Sequence, residues 1–93
     1  AGVVNLTRDT AVEVANKGIT VNAICPGYIE APIQDYLTEE QIDSCRQKTP
    51  LPRLGLPSDI GKACVFFASD DAEWITGTSL VIDGGVIAGV WNG

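Results

Sequence analysis

The first regular pattern in the chain lies in residues 2–17, GVVNLTRDTAVEVANK, where Val3, Leu6, Thr10, Val14 and Lys17 recur at spacings of three and four. Val4, Thr7, Ala11 and Ala15 form an adjacent stripe, while Asp9, Glu13 and Asn16 hold the polar side. This period predicts one amphipathic helix with a broad, shallow apolar face. Gly18 can take the left-handed conformation that closes a helix, and Lys17 meets the negative end of its dipole. The period then changes. Residues 19–24, ITVNAI, place β-branched and apolar side chains around Asn22. They read as a strand covered on both faces, as in the interior of a parallel sheet. Asn22 reads as a hydrogen-bonded strand residue, not a catalytic one. Cys25, Pro26 and Gly27 are predicted to end the strand, because proline removes a donor and glycine opens space.

Residues 26–37, PGYIEAPIQDYL, show no period but retain Tyr28, Ile29, Ile33, Tyr36 and Leu37. Apolar loops of this kind read either as a lid or substrate wall, or as ordinary packing. Thr38, with Gln41 three residues on, predicts a capping box, and Glu39 and Glu40 suit the first turn. The helix over 38–48 has only Ile42 and Cys45 as apolar anchors and reads as a surface element. Residues 49–57, TPLPRLGLP, form a stiff connector in which Arg53 is expected to pair with a carboxylate or cap local backbone. Pro57 fits the first position of a further helix, with Asp59 in its first turn. Ile60, Ala63, Cys64, Phe67 and Ala68 share a face that Val65 and Phe66 widen, so this helix is expected to be strongly buried. Ser69, Asp70 and Asp71 end or cap it, and Trp74 and Ile75 are expected to plug the following turn. Residues 78–82, TSLVI, read as a second strand, followed by Asp83-Gly84-Gly85. The tail from residue 86 has no assignable period.

Composition narrows the chemistry. The chain has 93 residues, 45% hydrophobic and 19% charged, which is globular rather than disordered material. Its 12 acidic and 6 basic side chains give a charge of -6, and the basic residues are scattered. That argues against a nucleic-acid partner, which needs a basic patch. Histidine is absent, excluding a histidine metal site, an imidazole base and a serine-histidine-acid triad. Cys25, Cys45 and Cys64 form no C-x-x-C pair and read as reduced thiols, which suits a cytoplasmic protein. No apolar run approaches the roughly 20 residues of a membrane span, and no signal-peptide pattern opens the chain. Methionine is missing from position 1, which suggests a processed, trimmed or incomplete chain. Two short parallel strands joined by a crossover are the end of an α/β sheet rather than a whole one.

Three stretches appear in a known order: AGVVNLTRDTAVEVANKGITVNAICPGYI, PLPRLGLPSDIGKACVFFASDDAEWITG and LVIDGG. Together, from Ala1 to Gly85, they resemble the C-terminal portion of the classical short-chain dehydrogenase/reductase family. The resemblance implies an α/β fold, the C-terminal part of a Rossmann-like doubly wound parallel sheet. Residues 1–93 would be the C-terminal segment of one NAD(P)-binding domain, with 26–57 as its cofactor and substrate loop region. It implies hydride transfer between NAD or NADP and a small-molecule alcohol or ketone, catalysed by the complete protein. The family's glycine-rich turn, catalytic serine and Y-x-x-x-K are not among these residues. Its motif lysine would stand immediately before Ala1, and neither Tyr28 nor Tyr36 has a lysine at the motif spacing. No catalytic residue is therefore named here. The 93 residues alone are expected to be inactive, and a truncated, non-catalytic binding or structural module is the alternative reading.

By the same resemblance, Pro26, Gly27, Tyr28 and Ile29 border the nicotinamide. Pro26 lies on the ring side, Gly27 lets the backbone approach, and the Ile29 backbone meets the carboxamide. Ala31 takes the next cofactor position, where the family often has a threonine whose hydroxyl alanine lacks. Tyr28, Ile33, Tyr36 and Leu37, with the 38–48 helix, are the implied substrate wall, suiting a partly hydrophobic alcohol or ketone. Asp83 resembles a structural turn residue near a subunit interface. The small-residue face of the first helix resembles one that packs on its counterpart, so a homodimer or homotetramer is expected. Nucleic acid and membrane are not expected partners.

Overall fold

Two parallel strands organise the computed structural model, which describes residues 2–30 and 37–92, with side chains as far as residue 89. Strand β1 (Ala23–Pro26) pairs with β2 (Ser79–Ile82), in a register running from Ala23 beside Ser79 to Pro26 beside Ile82. Helix α1 (Gly2–Val14) precedes β1, and α2 (Glu39–Lys48) and α3 (Pro57–Ala68) lie in the crossover. Helix α4 (Val86–Asn92) follows β2. This parallel pair with its helical crossover is the expected partial α/β architecture.

Local chemistry sets several boundaries as expected. After α1 the chain tightens into a 3₁₀ turn at Ala15–Lys17, and Gly18 closes it with φ of 73°. Thr38 and Gln41 complete the capping box of α2: Gln41 N–H donates to Thr38 Oγ1 (3.1 Å), and Thr38 N–H donates to Gln41 Oε1 (2.8 Å). Pro57 opens α3.

Strand β1 departs from expectation at both ends. It begins at Ala23 rather than residue 19, because side chains occupy the preceding backbone. Val21 N–H donates to Thr76 Oγ1 (3.0 Å), while Asn22 donates to the Ile75 carbonyl (3.1 Å) and accepts from Thr78 N–H (3.2 Å). Asn22 is thus the hydrogen-bonded structural residue expected. Gly77 N–H already donates to Val21 O (2.8 Å), but regular pairing starts with Ala23 N–H on Thr78 O (2.9 Å). At its far end the strand stops within the expected Cys25-Pro26-Gly27 break, but only after Cys25 and Pro26. Both belong to it, because alternate residues donate toward β2, Ala23 and then Gly27. The donor that Pro26 lacks would face the other edge.

Packing brings further corrections. Thr7 and Ala11 are the buried residues of α1, whereas Val3 and Leu6 are each 67% exposed. The Val4-Thr7-Ala11 stripe therefore faces inward, not the Val3-Leu6 one. Helix α3 has no buried residue, and Cys64, Val65 and Phe66 are exposed. Two strands offer it too little surface to bury the face its sequence carries. Trp74 does not plug its turn, being 96% exposed, whereas Ala72 is only 1% exposed. The tail has regular structure after all, as α4. The hydrophobic core among the described residues is Ala11, Ala23, Leu54 and Ala72, joined by the buried hydroxyls of Thr7 and Thr49. The Thr7 hydroxyl donates to Val3 O (2.7 Å) and that of Thr49 to Cys45 O (2.8 Å), so neither buries an unmet donor. Cys25, Cys45 and Cys64 are free thiols.

Candidate functional site

Parallel pairing places the C-terminal ends of β1 and β2 at one edge of the sheet, where ligands of open α/β folds bind. Three structures meet there: the segment leaving β1, the proline-rich connector and the turn after β2. Gly27 N–H donates to Ile82 O (3.1 Å), extending the ladder one step past β1. The chain then passes Tyr28 and Ile29 and docks on the connector. Gly55 N–H donates to Tyr28 O (3.0 Å), and Glu30 N–H donates to Gly55 O (2.7 Å), making a parallel bridge between Ile29 and Gly55.

Asp83 holds the third element. Its carboxylate accepts from Gly85 N–H (2.8 Å) and Ile87 N–H (3.0 Å), capping the first turn of α4. Those bonds, Ile87 foremost, hold its pKa below the ordinary carboxylate value. Its structural assignment is therefore supported. Gly84 O in turn accepts from Leu51 N–H (3.0 Å), tying the turn to the connector.

Tyr28, 37% exposed, stands where three hollows meet. One of 300 Å³ is lined by Pro26, Gly27, Tyr28, Asp83 and the start of α4. Another of 200 Å³ lies between Tyr28, Ile29, Arg53, Asp59 and the β2 exit. A small recess of 80 Å³ is lined by Tyr28, Ile29, Leu37, Ile42, Cys45 and Leu54. The structure thus brings together Pro26, Gly27, Tyr28 and Ile29, and it sets Leu37 and two α2 residues beside Tyr28. Ala31, Ile33 and Tyr36 lie outside the described residues.

Arg53 meets both expectations made for it. Nη1 donates to Leu54 O (2.9 Å) and to Asp59 Oδ2 (2.8 Å), and Nη2 donates to Asp59 Oδ1 (3.1 Å). This bidentate bond, followed by the Leu56 N–H that also donates to Asp59 (2.7 Å), lowers the Asp59 pKa to about 2. Sequence reasoning did not single out Gly55 or Asp59 as part of the site. Asp59 carried a local signal, an acid two residues past a helix-opening proline. Gly55 carried none, since its partners are distant in sequence.

Chemically, the arrangement offers backbone and apolar surface at a strand edge, with the Asp59 and Asp83 carboxylates engaged in the hydrogen bonds above. Among the described residues, no cluster of histidine, cysteine, aspartate or glutamate could hold a metal. Also among them, no helix is long and apolar enough to cross a membrane.

The family model described as Enoyl-(Acyl carrier protein) reductase matches residues 1–87. A 3-oxoacyl-(acyl-carrier-protein) reductase FabG from Haemophilus influenzae is 48% identical over 86 residues, covering 92% of this chain and 36% of that protein. The FabG of Rickettsia felis is 42% identical over 87 residues, covering 94% of this chain and 36% of the relative. A crystal structure from Agrobacterium tumefaciens, provisionally assigned as a 2-deoxy-d-gluconate 3-dehydrogenase and holding NADP, superposes with a TM-score of 0.85. It is 40% identical and matches 94% of this chain and 36% of its own. The chain therefore spans little more than a third of the length of these relatives. By its family match, its sequence identities and its fold, it belongs to the short-chain dehydrogenase/reductase family, whose C-terminal portion it matches.

Proposed function

We propose that the protein containing this segment is an NAD(P)-dependent oxidoreductase acting on a small-molecule alcohol or ketone. In that reading residues 1–93 are the C-terminal segment of one domain, and residues 26–57 form its cofactor and substrate loop region. The observation that carries it is the position of Pro26-Gly27-Tyr28-Ile29 at the shared C-terminal edge of two parallel strands. That is where an open α/β sheet receives a nucleotide, and the Agrobacterium relative holds NADP.

The residues present fit a nicotinamide at this edge. The 300 Å³ hollow is walled by the Pro26 ring, the Gly27 backbone and Tyr28. Pro26 and Gly27 would hold one side of the ring, and Ile29, with Ala31 beyond it, would border its carboxamide. When bound, the nicotinamide supplies or accepts the hydride. The chain's own residues orient it and exclude water. The Gly27 N–H is already used by Ile82 O, so Gly27 contributes space and not a donor.

Tyr28, Leu37, Ile33 and Tyr36 are the substrate wall in this reading, with Ile42 and Cys45 of α2 behind Tyr28 and Leu37. An apolar wall favours a ketone with a hydrophobic arm, and the acyl-thioester relatives make 3-oxoacyl thioesters the first substrates to try. The small-residue face of α1 is assigned to a homodimer or homotetramer contact. The 93 residues alone lack the proton-transfer set and are expected to show no turnover.

The decisive experiment uses the protein expressed from its natural gene. NADH and NADPH binding is titrated by fluorescence, and turnover is followed by nicotinamide absorbance against 3-oxoacyl thioesters, cyclic ketones and sugar ketones. Binding of neither nucleotide would overturn the proposal. Ala31→Thr is expected to tighten nucleotide binding by restoring a hydroxyl, and unchanged or weaker binding counts against the role given to position 31.

A further inference from the structure

We infer that Arg53 and Asp59 are a positioning pair that sets the Tyr28–Ile29 backbone by gripping the connector on both sides of Gly55. The functional half of this inference rests on the nicotinamide reading above. The geometric half does not.

Gly55 is where the candidate cofactor segment is fastened. Its N–H and its carbonyl each bond to that segment, at Tyr28 O and Glu30 N–H, so the backbone around Ile29 follows wherever Gly55 is held. The two backbone groups flanking Gly55 are held by charged side chains. Leu54 O, before it, accepts from Arg53 Nη1, and Leu56 N–H, after it, donates to Asp59 Oδ2. Arg53 and Asp59 then close on each other through two hydrogen bonds of 2.8 and 3.1 Å. A planar guanidinium and a carboxylate joined in this way fix orientation as well as distance. Asp59 belongs to the first turn of α3, so the pair ties the connector to a helix instead of to another loop.

Core packing does not explain the arrangement, because the side chains are 56% and 23% exposed. Exposed ion pairs contribute little to global stability. The chain has one for comparison in Arg46 and Asp43, which are 54% and 61% exposed and join only neighbouring turns of α2. The Arg53 pair differs in where its remaining bonds fall: on the peptide groups that bracket Gly55.

Asp59→Asn separates the alternatives, since an amide oxygen still accepts from Leu56 N–H and keeps the helix start but loses the charged partner. Asp59→Asn, Arg53→Met and the double variant are prepared in the protein from its natural gene, with Asp70→Asn as an exposed carboxylate control. Two quantities are read: amide exchange at Gly55 and Glu30, and the dissociation constants of NADH and NADPH. Each single variant is expected to speed exchange at both amides and to raise the constant for the bound nucleotide about three- to tenfold. The double variant is expected to lose no more than the singles, as partners in one interaction do. Asp59→Glu is expected to recover most of the loss, and Asp70→Asn to match wild type. Unchanged Gly55 and Glu30 exchange in Asp59→Asn would overturn the pair's positioning role. Faster exchange with unchanged nucleotide affinity would overturn its functional half. If the wild-type protein binds neither nucleotide, the nicotinamide reading fails, and amide exchange alone still decides whether the pair positions the loop.

Discussion

Gly27 and Asp83 approach each other so closely at the strand exits that a Cβ at position 27 would lie 2.6 Å from the Asp83 Cβ and 2.8 Å from its Cα. Real side-chain carbons do not approach backbone at such distances. The glycine is therefore required by the sheet itself, before any cofactor arrives: it lets the chain leaving β1 pass against the turn leaving β2. The same contact makes one wall of the hollow assigned to the nicotinamide. Fold and site depend on one missing methyl group.

Gly27→Ala is accordingly expected to destabilise the protein by about 1–3 kcal/mol, the usual cost of overpacking against atoms that cannot swing away. Because Asp83 would be pushed from its cap on α4, nucleotide affinity is expected to fall in the same variant. Gly61→Ala is the counterpart. It lies inside α3 with nothing within 4 Å of the added carbon, so a gain of about 0.5–1 kcal/mol is expected. Urea midpoints of the two variants check both signs. Equal effects would remove the special status given to position 27.

The difference between these glycines marks what the sequence could reveal. Features written in neighbouring residues were legible: the Gly18 stop, the Thr38–Gln41 box, the Pro57 start and the parallel α/β class. The segment Pro26-Gly27-Tyr28-Ile29 was singled out through family resemblance, and the structure places it beside the strand exits. Features requiring distant partners were not. Strand β1 starts late because Thr76 and Ile75 capture Val21 and Asn22 across the fold. Trp74 was expected inside because it is large and apolar, yet it stands in solvent while the nearby Ala72 is buried. Helix α4 was missed because its glycine-rich tail gives no period, and Asp83, which caps its first turn, read only as a turn residue. Gly55 was overlooked because nothing near it in sequence points to Ile29.

Acid is expected to weaken the hold on the connector only at low pH, as Asp59 becomes protonated. The Asp59 carboxylate titrates at about 2 when folded, against an ordinary 3.8. A lowered native pKa means the unfolded chain takes up protons more readily, so the contribution is full above about pH 4 and fades as pH falls toward about 2. Asp59→Asn is expected to flatten the stability curve in that interval, losing the contribution at neutral pH and converging with wild type as pH approaches about 2. Some slope persists from Asp83, which is lowered in the same direction. Denaturation midpoints at a series of acidic pH values test this, and identical slopes in wild type and variant would refute it.

Thr38→Ala removes one half of the capping box and is expected to cost about 0.5–2 kcal/mol. The loss should be concentrated at the start of α2, where Gln41 N–H donates to the Thr38 hydroxyl and Ile42 N–H donates to the Thr38 carbonyl. Exchange at the Gln41 amide reports it directly. Since Ile42 and Cys45 back the recess beside Tyr28 and Leu37, the proposed substrate role predicts a higher KM for the ketone with kcat retained. A fall in kcat alone would move α2 out of the substrate wall.

Leu54 is the largest side chain of the small core, only 5% exposed. It lines the 80 Å³ recess, and its own carbonyl is the one that Arg53 grips. Leu54→Ala is expected to cost about 2–5 kcal/mol, because a stiff connector flanked by prolines cannot collapse into the space left. Val65, 71% exposed on α3, is the comparison, and Val65→Ala is expected to stay within about 0.5 kcal/mol of wild type. Thermal and urea unfolding of both variants measures the contrast. It also probes α3, whose apolar face the two strands leave open. A Val65→Ala loss as large as that of Leu54→Ala would mean that this face packs against further protein, while the expected small value leaves Val65 in solvent.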